Sequence, residues 1–293
     1  MLKNHKYTFH EEIKKRSDLR VMTESELKRA QQVYLEMAKD LFEMFDSCGI
    51  KATLSGGSVL GAVRHKGFIP WDDDMDLNMP RKDFEKMKRV FDGYFHGKYL
   101  FGAPNHDHHS GYRCGKIENP RVRVWDELGQ KHGLTIDIFI IENLPDSTVF
   151  RTMRGFRSEL FRIIAGLVFE YECARNEGNQ NAELSLKRVL CHFAGWLFSF
   201  RTSVKWYDVL DRVNQYANEN TKMVSIPSGR KHYFGEMYQR EWMVECIPMR
   251  FEDMLLPIPK GYDEYLKQLY GNYHELPPEN QREHHYIRSI EFQ

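Results

Sequence analysis

The feature that most constrains this chain is a short acidic segment, Asp72–Leu77, and over Asp74–Met79 acidic or polar residues alternate with apolar ones. This period of two predicts a β-strand with one polar and one apolar face. Asp74 and Asp76 then point to the same side, while Met75 and Leu77 face the core. Such close like charges repel unless a positive group lies between them. Because carboxylate oxygens are preferred ligands of hard cations, the segment predicts a catalytic site that holds Mg²⁺ or Mn²⁺.

Asp72 begins the same run and is a further candidate ligand, but the run has two other interpretations. An acidic cluster is often a solvated loop. A calcium-binding loop also begins with acids at alternate positions, as at Asp72, Asp74 and Asp76. That loop requires glycine where Leu77 stands and a bidentate glutamate where Asp83 stands. The pattern therefore favours a cation site for phosphate chemistry.

A Ser-Gly-Gly-Ser turn, Ser55–Ser58, lies between a predicted strand (Ile50–Leu54) and a predicted helix (Val59–His65). Adjacent glycines let the backbone approach a phosphate, and the N-terminus of a helix offers unpaired N–H groups to an anion. A glycine pair alone is more often only a turn, but the series strand, turn, helix and acidic strand is much more specific. The residues predicted to bind a donor phosphate are Gly56, Gly57 and Ser58.

Asp137 lies inside Leu134–Ile141, an otherwise apolar run that is typical of a central strand. A lone carboxylate there is costly unless it is paired or bound to a metal, so Asp137 is predicted as a third ligand and catalytic carboxylate. The alternative is an aspartate at a strand end that bonds to the backbone. Lys116, in another predicted strand, and Arg64 are predicted to hold the donor phosphate. For Arg64, a solvated basic helix end fits its position equally well.

The charge balance argues against one class of function. The chain of 293 residues contains 42 Lys and Arg residues and 42 Asp and Glu residues, so its formal net charge is zero. Affinity for nucleic acid depends on clustered basic residues, so we expect no nucleic-acid partner. Five widely spaced cysteines without a CxxC pair predict reduced thiols. The start of the chain lacks the apolar segment of a signal peptide. We therefore expect a cytoplasmic protein with at most a peripheral contact at the inner face of the membrane.

The patterning divides the chain into three segments. A capping box at Thr23–Glu26 opens a predicted long helix that Gly49 ends. Strands and helices alternate as far as residue 147, whereas residues 148–220 lack proline and favour helices. The remainder contains a predicted strand (Phe251–Ile258) and a predicted helix (Tyr262–Tyr270). We predict an α+β fold: a mixed sheet with flanking helices over 23–147, a helical subdomain over 148–220, and a C-terminal segment, 221–293, that packs back on the core.

Two motifs carry a resemblance to a known family. The segment Leu54–Asp76 closely resembles the signature of the LicD family, and Tyr270–His285 resembles its C-terminal pattern. LicD proteins are phosphorylcholine transferases of bacterial surface polymers and are related to fukutin-type ribitol-phosphate transferases. The resemblance implies a polymerase-beta-like nucleotidyltransferase core. It also implies that Gly57 and Ser58 form a turn that binds the donor phosphate. Asp74 and Asp76 would then be paired metal ligands, and Asp137 would be the third carboxylate.

The function that the resemblance implies is divalent-metal-dependent transfer of phosphorylcholine or a similar phospho-alcohol. The donor would be CDP-choline or a related CDP-alcohol. The acceptor would be a hydroxyl of a lipid-linked surface glycan precursor, as in lipopolysaccharide or teichoic acid. Two alternatives stay open: a sugar-nucleotide glycosyltransferase that uses the Asp-x-Asp metal site, and an inactive family member that only binds.

Three further clusters each allow two interpretations. The histidines His106, His108 and His109 suggest a zinc site, but their spacing fits no structural zinc pattern, so a solvated loop is favoured. The basic residues of the tail, Arg282, His284 and His285, would either fold back over the acidic strand or form a salt-bridged C-terminal turn.

A basic amphipathic helix contains Arg151, Arg154, Arg157 and Arg162. It would either rest on anionic lipid or pack on the domain with its arginines in water.

Overall fold

The acidic segment belongs to a mixed β-sheet that helices flank. The computed structural model describes residues 16–106, 113–127, 129–176 and 186–293. The helices within these residues are α1 (Glu24–Cys48), α2 (Gly56–His65), α3 (Arg81–Phe95), α4 (Thr148–Asn176), α5 (Leu186–Phe198), α6 (Ser203–Asn214), α7 (His232–Gly235), α8 (Arg240–Val244) and α9 (Tyr262–Tyr270). The strands are β1 (Thr53–Leu54), β2 (Met75–Pro80), β3 (Leu100–Gly102), β4 (Gly115–Asp126), β5 (Lys131–Leu144), β6 (Met223–Ser225), β7 (Met237–Gln239), β8 (Cys246–Phe251), β9 (Met254–Pro259) and β10 (Ile287–Phe292).

Helix α1 begins and ends where its sequence predicts. The side chains of Thr23 and Glu26 form a reciprocal capping box at its N-terminus, and Gly49 adopts the left-handed conformation at its C-terminus (φ 58°). Its buried residues recur at helical spacing, so that one apolar face packs against the sheet. They are Ala30, Tyr34, Met37, Ala38, Leu41, Met44 and Phe45.

The main sheet runs in the order β1-β2-β5-β4-β10, with β3 on β4 and with β6 and β7 on the far end of β5. β2 and β5 are parallel, and the other strand pairs are antiparallel. The core lies between this sheet and the helices, and the three apolar residues of β2 at its centre, Met75, Leu77 and Met79, are fully buried. The predicted mixed α+β class with flanking helices is confirmed.

The number of strands differs from the prediction in two places. The single predicted strand Phe251–Ile258 is a hairpin, because Glu252 adopts a positive φ of 54° and turns the chain between β8 and β9. The sequence on either side of Pro120 predicts two strands, Tyr112–Glu118 and Arg121–Trp125, but the structure has one strand there, β4. Its pairing with β5 shifts register between Asn119 and Val124, and this irregularity accommodates the proline.

The C-terminal segment returns to the sheet. β6 pairs with residues 142–144 of β5, and β10 pairs with β4 along its outer edge. Helix α9 packs on α2, so that its side chains reach the turn at which α2 begins. The division into three segments at residues 147 and 220 stays a prediction.

The described residues of this region, 148–176 and 186–214, form three helices, in agreement with the helical patterning. Helix α4 packs against α5 and α6, and a second apolar core forms between α4 and α6. This core contains Ile164, Ala165 and Val168 together with Trp206, Tyr207 and Leu210. None of the helices in the described residues is both long enough and apolar enough to cross a membrane.

Candidate active site

The acidic segment has the two faces that its alternation predicts. Met75 and Leu77 are fully buried, whereas Asp76 between them is half-buried on the opposite face. Asp74 immediately precedes β2, and 35% of its side chain is exposed to solvent. The carboxylates therefore lie in a recess that a ligand can reach.

Asp137 lies directly beside Asp76. The two residues are register partners in the parallel pairing of β2 with β5, and neighbouring strands lie about 5 Å apart. On its other side, Asp137 faces its antiparallel partner Lys116, whose Nζ donates to both carboxylate oxygens (2.7 and 3.0 Å). The sheet thus aligns an aspartate, a second aspartate and a lysine across three neighbouring strands.

The Gly-Gly-Ser turn is itself the first turn of α2, which begins at Gly56 and not at the predicted Val59. Ser58 Oγ accepts a hydrogen bond from the backbone N–H of Asp76 (3.0 Å), which couples this helix to the acidic strand. The glycines lie against the carboxylates. A Cβ on Gly56 would lie 3.7 Å from Asp76 Oδ2, and one on Gly57 would lie 3.0 Å from Asp72 Oδ2. The N-terminus of α2 and the carboxylates therefore border one recess.

The electrostatics of the recess are dominated by uncompensated negative charge. Burial, with the neighbouring charges of Asp74 and Asp73, raises the pKa of Asp72 well above its usual range. Burial and the charges of Asp74 and Asp137 do the same to the pKa of Asp76, against a smaller opposing effect of Lys116. The pKa of Asp74 is raised as well, mainly by burial. Such a cluster favours a cation between its members.

The donor set of the recess fits a hard divalent cation, because it consists of carboxylate oxygens whose repulsion a cation would relieve. The side chains are not drawn together for one in the structure. Within the described residues, no three His, Cys, Asp or Glu side chains are arranged to hold a metal ion. Lys116 instead provides the positive charge at Asp137. The assignment of Asp74, Asp76 and Asp137 as metal ligands, with Asp72 as a further candidate, stays a prediction.

The C-terminal tail crosses the acidic segment. His285 Nδ1 lies 2.7 Å from Asp73 Oδ1 and 3.9 Å from Asp74 Oδ2. The hydrogen bond to Asp73 raises the pKa of His285 to about 10. Arg282 stacks on the ring of Trp71, with its guanidinium carbon 4.1 Å from the ring centroid. The tail therefore both folds over the acidic segment and forms a salt bridge, so the two predicted interpretations hold together.

Arg64 lies at the opposite end of α2 from the glycines. Its Nη1 donates to the carbonyl oxygens of Tyr273 (2.9 Å) and Glu275 (3.3 Å), and its Nε lies 2.9 Å from His65 Nε2. These contacts hold the C-terminal segment against α2. These bonds engage Arg64 with the C-terminal segment and with His65 and not with the carboxylates, and its predicted contact with a donor phosphate stays a prediction.

Two tyrosines of α9 reach the recess, and the sequence analysis did not identify them. Tyr265 Oη accepts a hydrogen bond from the N–H of Gly56 (3.0 Å) and lies 3.1 Å from Ser55 Oγ. Tyr270 Oη would lie 3.4 Å from a Cβ on Gly56. No local signal could identify them, since α9 follows the glycine turn by some two hundred residues. The motif at the start of the tail, Tyr270–His285, was the one indication.

The predicted histidine cluster is only partly described. His106 packs against Phe101, with ring centroids 5.2 Å apart. His108 and His109 lie outside the described residues, so the choice between a zinc site and a solvated loop stays a prediction.

Comparisons with known proteins agree with this geometry. Residues 49–161, which include the turn, the acidic segment and Asp137, match the family model "LicD/FKTN/FKRP, nucleotidyltransferase domain". The chain is 26% identical over 267 residues to the lipopolysaccharide cholinephosphotransferase LicD of Haemophilus influenzae, and this alignment covers 89% of this chain and 96% of that protein. Over 92 residues the chain is 30% identical to the ribitol 5-phosphate transferase FKRP of human and mouse. This second alignment covers 31% of this chain and 15% of FKRP.

Proposed function

We propose that this protein, whose residues 49–161 match the LicD-family nucleotidyltransferase model, transfers phosphorylcholine, or a similar phospho-alcohol, from a CDP-linked donor to a hydroxyl of a surface glycan precursor. One observation carries the proposal: Asp76 and Asp137 lie side by side at the N-terminus of α2. A diphosphate bound there would meet helix N–H groups and carboxylates at once. The names of LicD and FKRP, two transferases of phospho-alcohols, support the same reaction class. We further propose that the mixed sheet is a polymerase-beta-like core.

The donor would bind at the first turn of α2. The backbone N–H groups at Gly57 and Ser58 offer hydrogen bonds to phosphate oxygens, and the helix dipole favours the negative charge. A Cβ at Gly57 would approach Asp72 Oδ2 to 3.0 Å, so the glycine lets this carboxylate lie close against the first turn of α2. Lys116 supplies a cationic donor from the adjacent strand once its bond to Asp137 is released.

The chain's own groups then account for the transfer. The acceptor hydroxyl oxygen would form a bond to the phosphorus that carries choline, and the bond between that phosphorus and the oxygen of CMP would break. Asp137 would accept the proton of the acceptor hydroxyl, and CMP would leave with the electron pair of the broken bond. Asp74, Asp76 and Asp137 would hold Mg²⁺ or Mn²⁺, with Asp72 as a further candidate. A bound divalent cation would supply neutralisation of the diphosphate charge.

The test measures CMP release from CDP-choline in the presence of Mg²⁺ and a glycan acceptor. Parallel reactions contain CDP-ribitol, CDP-glycerol or a UDP-sugar at the same concentration. We expect CMP from CDP-choline. CMP release from another CDP-alcohol alone would support the proposed reaction class but show that CDP-choline is not the donor. Turnover of the UDP-sugar alone would favour the glycosyltransferase. No turnover of any donor would favour the inactive binding protein.

A further inference from the structure

Helices α4 and α5 present an unusually large apolar surface to solvent. Thirteen of the nineteen large hydrophobic side chains that are exposed in the described residues lie between residues 149 and 200. Along α4 the exposed residues Val149, Met153, Phe156, Leu160 and Ile163 are separated by four, three, four and three positions. This spacing places them on one face of the helix.

A second exposed stripe lies on the neighbouring helix. Phe193 and Trp196 of α5, and Phe200 just beyond it, are 60%, 55% and 71% exposed. The backbones of α4 and α5 approach closely at Gly195, where a Cβ would lie only 2.4 Å from the carbonyl oxygen of Leu167. The two stripes therefore belong to one pair of packed helices. We call them together the α4–α5 apolar surface.

The helical region has an apolar core that does not include this surface. An adjacent face of α4 already buries Ile164, Ala165 and Val168 against α6. Burial of these phenylalanines and the tryptophan away from water would be strongly favourable, so their exposure to solvent is energetically costly. Contiguous apolar patches of this kind mark surfaces that bind another molecule or a membrane.

The charge around the surface indicates what covers it. Residues 148–169 contain four arginines and one glutamate, and residues 186–201 contain Lys187, Arg188 and Arg201 without an acidic residue. The excess is six positive charges in a chain whose formal net charge is zero. Arg157 is exposed beside Phe156 at the edge of the α4 stripe. Apolar and aromatic residues flanked by basic ones are typical of helices that lie in the interface of an anionic membrane.

We propose that the α4–α5 apolar surface docks the protein on an anionic lipid bilayer. The phenylalanines and Trp196 enter the boundary between headgroups and acyl chains, and the exposed Arg157 contacts lipid phosphates. A second copy of the chain fits less well, because a symmetric contact would place two such positive surfaces against each other. Docking would hold the active site near a lipid-borne acceptor, and this last link rests on the proposed function.

The test is flotation of the full chain with phosphatidylcholine vesicles, with and without about one third phosphatidylglycerol, and it needs no nucleotide or acceptor. We expect binding to the anionic vesicles that is lost at high salt, and weak binding to the neutral ones. Phe193→Ser/Trp196→Ser should weaken the partition coefficient at least tenfold, and Arg157→Glu should weaken it on anionic vesicles. Leu255→Ser and Lys28→Glu are the matched controls, since both residues are exposed elsewhere on the molecule.

Size-exclusion chromatography with light scattering is run on the same samples. Wild type that does not float with anionic vesicles, or a Phe193/Trp196 variant that floats like the controls, would overturn the proposal. A dimer in wild type that the Phe193/Trp196 variant abolishes would assign the surface to a second copy instead. CMP release with a water-soluble acceptor should be equal in all these variants, so that a failure of docking is distinguishable from a failure of the proposed reaction.

Discussion

At the residue scale, Asp76 connects three parts of the molecule. Its N–H donates to Ser58 Oγ and its carbonyl oxygen accepts from the N–H of Ser55, so the start of α2 is bonded to it twice. Its carboxylate faces the glycine turn and lies beside Asp137. A change at this side chain therefore alters the charge of the recess without removing the backbone bonds that position α2.

Gly57→Ala should separate activity from stability. The new methyl group would crowd the Asp72 carboxylate at the turn where the donor phosphate is proposed to bind, and it would leave the helix intact because alanine favours helices over glycine. We expect a raised KM for the CDP-linked donor and an unchanged or higher Tm. Gly93→Ala is the control, since nothing lies within 4 Å of a Cβ at this position in α3. Equal KM values in the two variants would contradict the proposed phosphate site.

Glu236 should make stability depend on pH. Its side chain is buried and accepts the N–H of Lys231 (2.7 Å), and burial raises its pKa from 4.5 to about 7. The folded state therefore holds a proton that the unfolded state releases between these values. The free energy of unfolding should fall as pH rises from 4.5 through 7, by about 3 kcal/mol from this residue.

Urea unfolding of wild type and Glu236→Gln at pH 4.5 and pH 8 measures this contribution. The variant cannot ionise, so it should match wild type at the lower pH and exceed it in stability at the higher one. A stability difference between the two proteins that does not change with pH would contradict the assignment.

At the scale of elements, the parts with strong local signals were predictable and the parts set by long-range contacts were not. Helix α1 carries its own cap residues and stop, and the alternation in β2 alone predicts its buried side. The turn at Glu252 is fixed by hydrogen bonds with the distant residues Lys66 and Phe68, and the irregular β4 pairs with the distant β10 as well as with its neighbour β5. For the same reason, the carboxylates and glycines of the site were identified from local sequence, whereas Tyr265 and the bonds that engage Arg64 were not.

Arg81 joins three elements and should be important for stability. At the start of α3 it donates to Glu142 of β5 and lies 2.6 Å from Asp211 of α6, and both carboxylates are buried. Arg81→Met would leave them without a counter-charge, so we expect a loss of about 3–5 kcal/mol in the free energy of unfolding. Lys82→Met, at the exposed neighbouring position, should cost less than about 1 kcal/mol. Urea denaturation of both variants measures the free energy of unfolding. Similar losses in the two variants would contradict a role of Arg81 as the counter-charge of the buried carboxylates.

At the scale of the whole molecule, the site depends on the C-terminal segment as well as on the segment that holds the glycine turn and the carboxylates. Helix α9 supplies the hydroxyl that bonds Gly56, the tail places His285 on Asp73, and β10 closes the outer edge of β4. The nucleotidyltransferase match ends at residue 161, so these contacts come from outside it. The C-terminal segment therefore completes a recess that the matched domain begins.

Divalent cations should stabilise the folded protein if the carboxylates hold them. After treatment with EDTA, addition of Mg²⁺ should raise the Tm of wild type, because the cation relieves repulsion that exists only in the folded state. At a hundredfold excess over Kd, the expected gain is about 2.7 kcal/mol. Asp76→Asn should respond less to Mg²⁺, and its Tm without metal should exceed that of wild type. An equal response to Mg²⁺ in both proteins would place the cation elsewhere.

The most direct test of the whole account is the initial rate of CMP release from CDP-choline at saturating Mg²⁺ for wild type, Asp76→Asn and Asp73→Asn. Asp76 lies in the recess, whereas Asp73 is bonded to His285 beside it. The account predicts that Asp76→Asn lowers kcat at least about a hundredfold without unfolding, and that Asp73→Asn has a much smaller effect. An active Asp76→Asn enzyme, or an Asp73→Asn enzyme that is impaired to the same degree, would contradict it.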